Sequence, residues 1–199
     1  MTGAASLALS LASTLAWPAA AQEVRITPDL PSVTVPTESG PAEIARIQDT
    51  ENEITGAFAR TSRPCPNFCI QPMTPADGVV TIGELEVIAA LQDPAVTVVD
   101  SRVRSDWEGG TIPGAVSMPY NEMPDRLHEL GCEPDFDGFL CEGAVEVVLF
   151  CNGPWCGQSP TAIRGIIDAG YPPERIRYYR GGMQVWRMLG LTVRVPGEG

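Results

Sequence analysis

Hydrophobic and polar positions change rhythm several times along this chain, and each change predicts an element. Val145, Val147, Val148, Leu149 and Phe150 form an apolar, largely β-branched run, the pattern of a strand buried on both faces. The run breaks into Cys-Asn-Gly-Pro-Trp-Cys-Gly-Gln, residues 151–158, which predicts a loop. Ser159 followed by Pro160 predicts a helix start, with Ser159 as cap and Pro160 in first position. Ala162, Ile163, Ile166 and Ile167 give that helix its apolar face, and Gly170 stops it. Upstream, Thr81 to Glu84 has the spacing of a capping box. Ile82, Leu85, Ile88, Ala89 and Leu91 then mark a helix face that Asp93-Pro94 ends. Val96, Val98 and Val99 predict the next strand, which stops at Asp100-Ser101-Arg102. A short helix is expected from Met123 to Leu130, a strand from Ile176 to Tyr179, and a last helix carrying Met183, Trp186 and Leu189. Strands alternating with helices predict an α/β fold, a mostly parallel central sheet with helices on both faces and right-handed crossovers.

The ends of the chain read differently. Residues 1–21 carry no charged side chain and finish in small residues. Ala19 and Ala21 fit a cleavage site, so 1–21 is expected to be a signal peptide and Gln22 the mature terminus. That places the protein in the periplasm or outside the cell, where disulfides persist. Residues 22–78 read as an N-terminal extension. It begins as a tether or edge strand to Gly40, and Ile44, Ile47, Ile54 and Phe58 then suggest a docked helix over 41–58. A Pro-rich loop holding Cys65 and Cys69 follows. The main domain is expected over 79–195, with Leu191 to Val195 as a terminal extension.

Composition narrows the chemistry. All thirteen basic residues are Arg, so no Lys is present to form a Schiff base. His128, the only histidine, falls on a helix expected to be exposed, which leaves no His-rich metal site and no triad. The net charge of −12 excludes nucleic acid and, after signal cleavage, anionic membrane surfaces as partners. Cys65–Cys69 and Cys132–Cys141 are each close in sequence and flanked by turn residues, so both pairs are expected to be disulfides. Asp135 and Asp137 lack the other ligands of a calcium loop, and neither metal nor cofactor is expected.

The remaining two cysteines carry the candidate chemistry. Cys151 follows a buried strand and precedes a helix N-terminus, where ligands bind in parallel α/β sheets and where the helix dipole favours a thiolate. It is the expected nucleophile. Cys156, in the same loop, reads as a resolving thiol, a structural partner or a second sulfur carrier. Trp155 and Trp186 are expected to be packing residues.

Together these motifs resemble a rhodanese domain, from about Val79 to Val195. Residues 98–119, VVDSRVRSDWEGGTIPGAVSMP, are similar to the family's Asp-x-Arg strand end and its Gly-His-Ile-Pro-Gly-Ala segment, with Thr111 in place of the His. SPTAIRGIIDAGY resembles the helix after the active loop, and YYRGGMQVWRMLGLTV resembles the closing Gly-Gly-x-x-x-Trp helix. The resemblance implies a rhodanese-like single α/β domain and a nucleophilic Cys151 that carries sulfane sulfur as a persulfide. It implies a substrate-binding loop of Asn152, Gly153, Gly157, Gln158 and Ser159, supported by Asp100 and Arg102. The active loop departs from the family's pattern. Gln158 stands where the family has an Arg, and Cys151 lies eight residues before Ser159 instead of six. The related dual-specificity phosphatases use a Cys-x5-Arg loop, and Gly157 occupies that Arg position, which disfavours phosphatase activity. A cation for an anionic donor would have to come from Arg102 or Arg180. The expected function is sulfur transfer from a small donor to a thiol acceptor through Cys151. Two other readings use the same residues: a periplasmic thiol–disulfide oxidoreductase or redox sensor built on Cys151 and Cys156, and a catalytically silent rhodanese-like binding domain.

Overall fold

The computed structural model describes residues 23–197, so the expected signal peptide and the expected mature terminus at Gln22 lie outside the described residues. In chain order the elements are β1 (Ser32–Val35), β2 (Ala42–Ala45), β3 (Val80–Ile82), α1 (Glu84–Gln92), β4 (Val96–Asp100), α2 (Arg104–Glu108) and β5 (Val116–Ser117). They continue with β6 (Glu133–Asp135), β7 (Gly138–Leu140), β8 (Glu146–Phe150), α3 (Gln158–Asp168), β9 (Ile176–Tyr179) and α4 (Gly182–Met188). Five strands form one sheet in the order β3-β9-β8-β4-β5, with every neighbouring pair parallel. This is the α/β architecture the alternation predicts. β1–β2 and β6–β7 are separate antiparallel hairpins.

The apolar run of β8 is explained by its central position. It pairs with β4 on one side and β9 on the other, and Val147, Val148, Leu149 and Phe150 are all fully buried. Alternation along the strand sends these side chains into two cores. Val147 and Leu149 pack with Ala162, Ile163 and Ile166 of α3. Val148 and Phe150 pack with Val87 and Ile88 of α1, Met183 and Trp186 of α4, and Val33, Val35 and Ile44 of the first hairpin. Burial of each such side chain is worth roughly 1.5–3 kcal/mol.

Several boundaries differ from the sequence expectation. Residues 41–58 do not form a docked helix. Residues 42–45 pair instead with β1, and only a 3-10 turn, Gly56–Ala59, follows. Ile44 is fully buried on that hairpin while Ile47 is exposed, so the helical spacing of these two isoleucines did not reflect one buried face. A four-residue segment takes the structure its cross-strand partner offers. Thr81 lies in β3 and does not cap α1; the Glu86 carboxylate instead accepts the Gly83 N–H at 3.0 Å. The core face of α1 is Val87, Ile88, Ala90 and Leu91, with Leu85 exposed. α3 starts two residues earlier than expected, with Gly157 as cap and Ser159 buried in the first turn. Residues 123–130 form two 3-10 turns, Met123–Asp125 and Leu127–Leu130. Among the described residues, no helix is long and apolar enough to cross a membrane.

Candidate active site

The loop of residues 151–157 leaves the carboxyl end of β8 and is clamped from three sides. From α4, the Met183 N–H donates to the Cys151 carbonyl at 3.0 Å and the Gln184 N–H to the Asn152 carbonyl at 2.9 Å. From β4, the Ser101 N–H donates to the Phe150 carbonyl at 2.9 Å. From the N-terminal extension, the Gln71 N–H donates to the Pro154 carbonyl at 2.9 Å. The approach of α4 requires a glycine. Gly182 has φ +53°, and a Cβ there would stand 2.2 Å from the Cys151 carbonyl oxygen. Gly153, with φ +157°, lies against Gln184 in the same contact.

Beneath the loop lies a buried polar network. Asp100 is fully buried and Arg102 nearly so. Arg102 Nη2 donates to Asp100 Oδ2 at 2.6 Å and Nε to Oδ1 at 2.9 Å, the paired geometry that suits a guanidinium and a carboxylate. Thr111, which stands where the resembling family has a His, donates its hydroxyl to Asp100 Oδ2 at 2.6 Å. Arg102 also reaches Gly110 O at 2.7 Å and, more weakly, Asn152 Oδ1 at 3.4 Å. Asn152 donates to Asp106 Oδ2 at 2.8 Å. Arg102, held by Asp100, thus reaches the loop at Asn152.

A cavity of about 500 Å³ opens above this network. Arg102, Asp106 and Asn152 line it from below, and Cys156, Gly157 and Gln158 line it from the active loop. Trp155 lines it as well and so does more than pack, while Trp186 is buried and donates to Thr192 O at 2.8 Å. The remaining wall comes from the extension, through Phe58, Arg63, Asn67 and Phe68 among others. Sequence reasoning did not single out Arg63. Its one signal was a cation next to aromatic and Cys-Pro residues in RPCPNFC.

The two thiols occupy different environments. Cys151 is buried and does not line the cavity; Cys156 does. Cys151 donates its thiol to the Cys156 carbonyl at 3.3 Å. Burial pushes the Cys151 thiol well above its usual range, and the neighbouring Cys156 pushes it further. Cys156 is drawn down to about 7, first by the Cys151 thiol beside it, then by the backbone amides of Gln158 and Asn152, against burial and the Asp106 charge. The Cys156 thiol, one residue before the cap of α3, is thus the more readily ionised of the two, where the sequence reading looked for a thiolate on Cys151. Of the expected loop amides, that of Gln158 serves Cys156 and that of Ser159 serves Cys151. His128 is exposed, away from the cavity lining.

Arg180 does not enter the cavity, because its guanidinium holds the Gln71 carbonyl at 2.9 and 3.2 Å. Cys65 and Cys69 form a close pair with Cα atoms 4.7 Å apart, and Cys132 and Cys141 another at 4.2 Å. Among the described residues, no cluster of His, Cys, Asp and Glu suits a metal ion.

A family model described as the rhodanese-like domain matches residues 85–189. A HTH-type transcriptional regulator of Mycobacterium tuberculosis is 34% identical over 112 residues, which are 56% of this chain and 43% of the regulator. The chain thus spans less than half of that relative's length. A sulfurtransferase of Allochromatium vinosum is 28% identical over 101 residues, 51% of this chain and 80% of that protein. Among solved structures, a rhodanese-related protein of Thermoplasma volcanium is 21% identical with a TM-score of 0.43, over 58% of this chain and 98% of that one.

Proposed function

Because the chain belongs to the rhodanese-like domain family, we propose that it is a sulfurtransferase that passes sulfane sulfur to a thiol acceptor through the Cys151–Cys156 pair. The observation that carries this reading is a thiol drawn down to about 7, Cys156, on the wall of a cavity at the N-terminus of α3. The family resemblance puts the persulfide on Cys151; the place of Cys156 on the cavity wall and its easier ionisation favour Cys156 as the attacking group. Its thiolate attacks the outer sulfur of a small donor. The bond from that sulfur to the rest of the donor breaks, and the leaving group departs with the electron pair. The acceptor's thiolate then attacks the outer sulfur of the Cys156 persulfide and leaves as a persulfide, which restores the Cys156 thiolate.

Cys151, protonated beside it, is the largest influence drawing the Cys156 thiol down. It also gives the loop a second chemistry. Attack of the Cys151 sulfur on the inner sulfur of the Cys156 persulfide would form a Cys151–Cys156 disulfide and release hydrosulfide. The sulfane sulfur is reduced and the two cysteines are oxidised in that step. The proximity of the pair supports a redox role as the second reading. Export, with residues 1–21 removed, and disulfides at Cys65–Cys69 and Cys132–Cys141 complete the proposal.

The test is peptide mass mapping after treatment with a sulfane-sulfur donor. One added sulfur on Cys156, retained in Cys151→Ser and lost in Cys156→Ser, is the expected result. Added sulfur on Cys151 that survives Cys156→Ser would return the carrier role to Cys151. No added sulfur on either residue would leave the redox reading and the silent binding domain.

A further inference from the structure

The active loop has no charged side chain, and the cavity holds two cations, Arg63 and Arg102. Arg102 is committed to Asp100, the two groups being 2% and 0% exposed. Arg63 is different. Its guanidinium lies 4.6 Å from the Trp155 ring centre and 4.8 Å from that of Phe68, and the two rings are 5.0 Å apart. Such stacking fixes the plane of a guanidinium without neutralising it. Nη2 donates to the Ala57 carbonyl, while Nε is shielded from solvent and has no hydrogen-bond partner among the described residues. No carboxylate pairs with Arg63 among the described residues, and the one carboxylate lining the cavity, Asp106, is hydrogen-bonded by Asn152. The segment that carries Arg63 is fixed at both ends. The Gln184 side chain donates to the Phe58 carbonyl at 2.6 Å, and Gln71 is held by both Pro154 and Arg180.

We propose that Arg63, supplied by the N-terminal extension, is the specificity-determining residue of this cavity. It binds one oxyanion group, a sulfonate or a carboxylate, on the non-transferred end of a small donor whose reactive sulfur faces Cys156. The identity of the bound molecule as a sulfur donor rests on the function proposed above; the anion site does not. Asp106 sets the charge limit. With Arg102 paired to Asp100, Arg63 is the one cation left for an anion, and Asp106 and the Cys156 thiolate oppose a second negative group, so the site selects a single anionic group over a dianion. This places the charge that the family's loop Arg would carry 88 residues upstream of Cys151.

Alkylation of the cavity thiol tests this without any need for sulfur transfer. The full-length protein is treated, under reducing conditions, with iodoacetate, with 2-bromoethanesulfonate or with neutral iodoacetamide. In the two iodo reagents the thiolate displaces iodide, and in the sulfonate it displaces bromide. The rate is read by mass mapping of the peptide that holds Cys151 and Cys156. In Arg63→Gln the rates with both anionic reagents should fall about tenfold or more, the lower end of the scale of one charge-assisted hydrogen bond, and the iodoacetamide rate should stay within about twofold. Arg63→Lys should keep the preference for anions. A larger fall for one anionic reagent identifies that group as the one bound. An unchanged ratio of anionic to neutral rates in Arg63→Gln would overturn the proposal. So would a parallel loss with all three reagents, which would mark Arg63 as packing only. If the ratio depends on Arg63 while no donor leaves a persulfide, the anion site stands and the sulfur-transfer reading falls.

Discussion

Gly182→Ala should damage stability and reactivity together, because one contact serves both. A Cβ at this position would lie 2.2 Å from the Cys151 carbonyl oxygen and 2.8 Å from the Gly153 nitrogen. Both neighbours are backbone, so neither can swing away, and an ordinary contact requires a separation of about 1 Å more than exists. The φ of +53° costs alanine roughly 1–2 kcal/mol in addition. Moving α4 off the loop stretches the Met183 and Gln184 amide bonds to residues 151 and 152, worth about 0.5–1.5 kcal/mol each. The total is about 2–5 kcal/mol, read as a shift in urea midpoint at unchanged slope. A displacement of about 1 Å beneath the nucleophile should also slow its reaction on the order of a hundredfold. Gly109→Ala is the control. Its φ is −76° and the nearest atom to a new Cβ is 3.5 Å away, so its effect should stay within about 0.5 kcal/mol. If the two variants unfold and react alike, the close packing of α4 on the loop is not what positions Cys151 and Cys156.

Three further outcomes follow from the buried groups. Asp100→Asn leaves Arg102 in the interior without its countercharge, so urea unfolding should show a loss of about 3–5 kcal/mol; an unchanged midpoint would mean the pair has no structural role. The iodoacetamide rate should rise with pH through about 7 and level off above it, because a thiol drawn down to about 7 is a thiolate above that pH. Cys151→Ala removes the largest influence lowering it, so the midpoint should move upward; a profile that stays in place would show that Cys151 does not hold the thiolate.

The sequence made the centre of the fold readable because its signals there are local. The run from Val145 to Phe150 and the apolar face of Ala162, Ile163 and Ile166 each fix one element, and the intervening Gly-Pro segment can only be a loop. Readability fell where partners lie far apart in the chain. Nothing near Ala42–Ala45 announces that it will pair with Ser32–Val35 rather than coil. Nothing near Thr81 announces that β9, some hundred residues later, claims it. In the site, spacing brought Cys151 and Cys156 into one loop but could not say which would lie beneath the other. That order depends on α4, which holds the carbonyls of residues 151 and 152 from another segment. Arg63 was missed for the same reason, because it reaches the cavity from the extension.

The way the chain closes on itself bears on when it folds. β3, at one edge of the sheet, is bonded to β9 alone, and residues 45–47, at the end of β2, are bonded to residues 190–192. Thr111 is paired with Arg194. Contacts separated by about eighty residues or more must wait for their second half and carry the largest loop-closure cost. During translation the first hairpin and β3 therefore emerge long before the segments that complete them. The sheet stays incomplete until residues 176–179 have left the ribosome, and the cavity wall built from residues 57–68 gains its opposite side only after residues 152–158 have emerged.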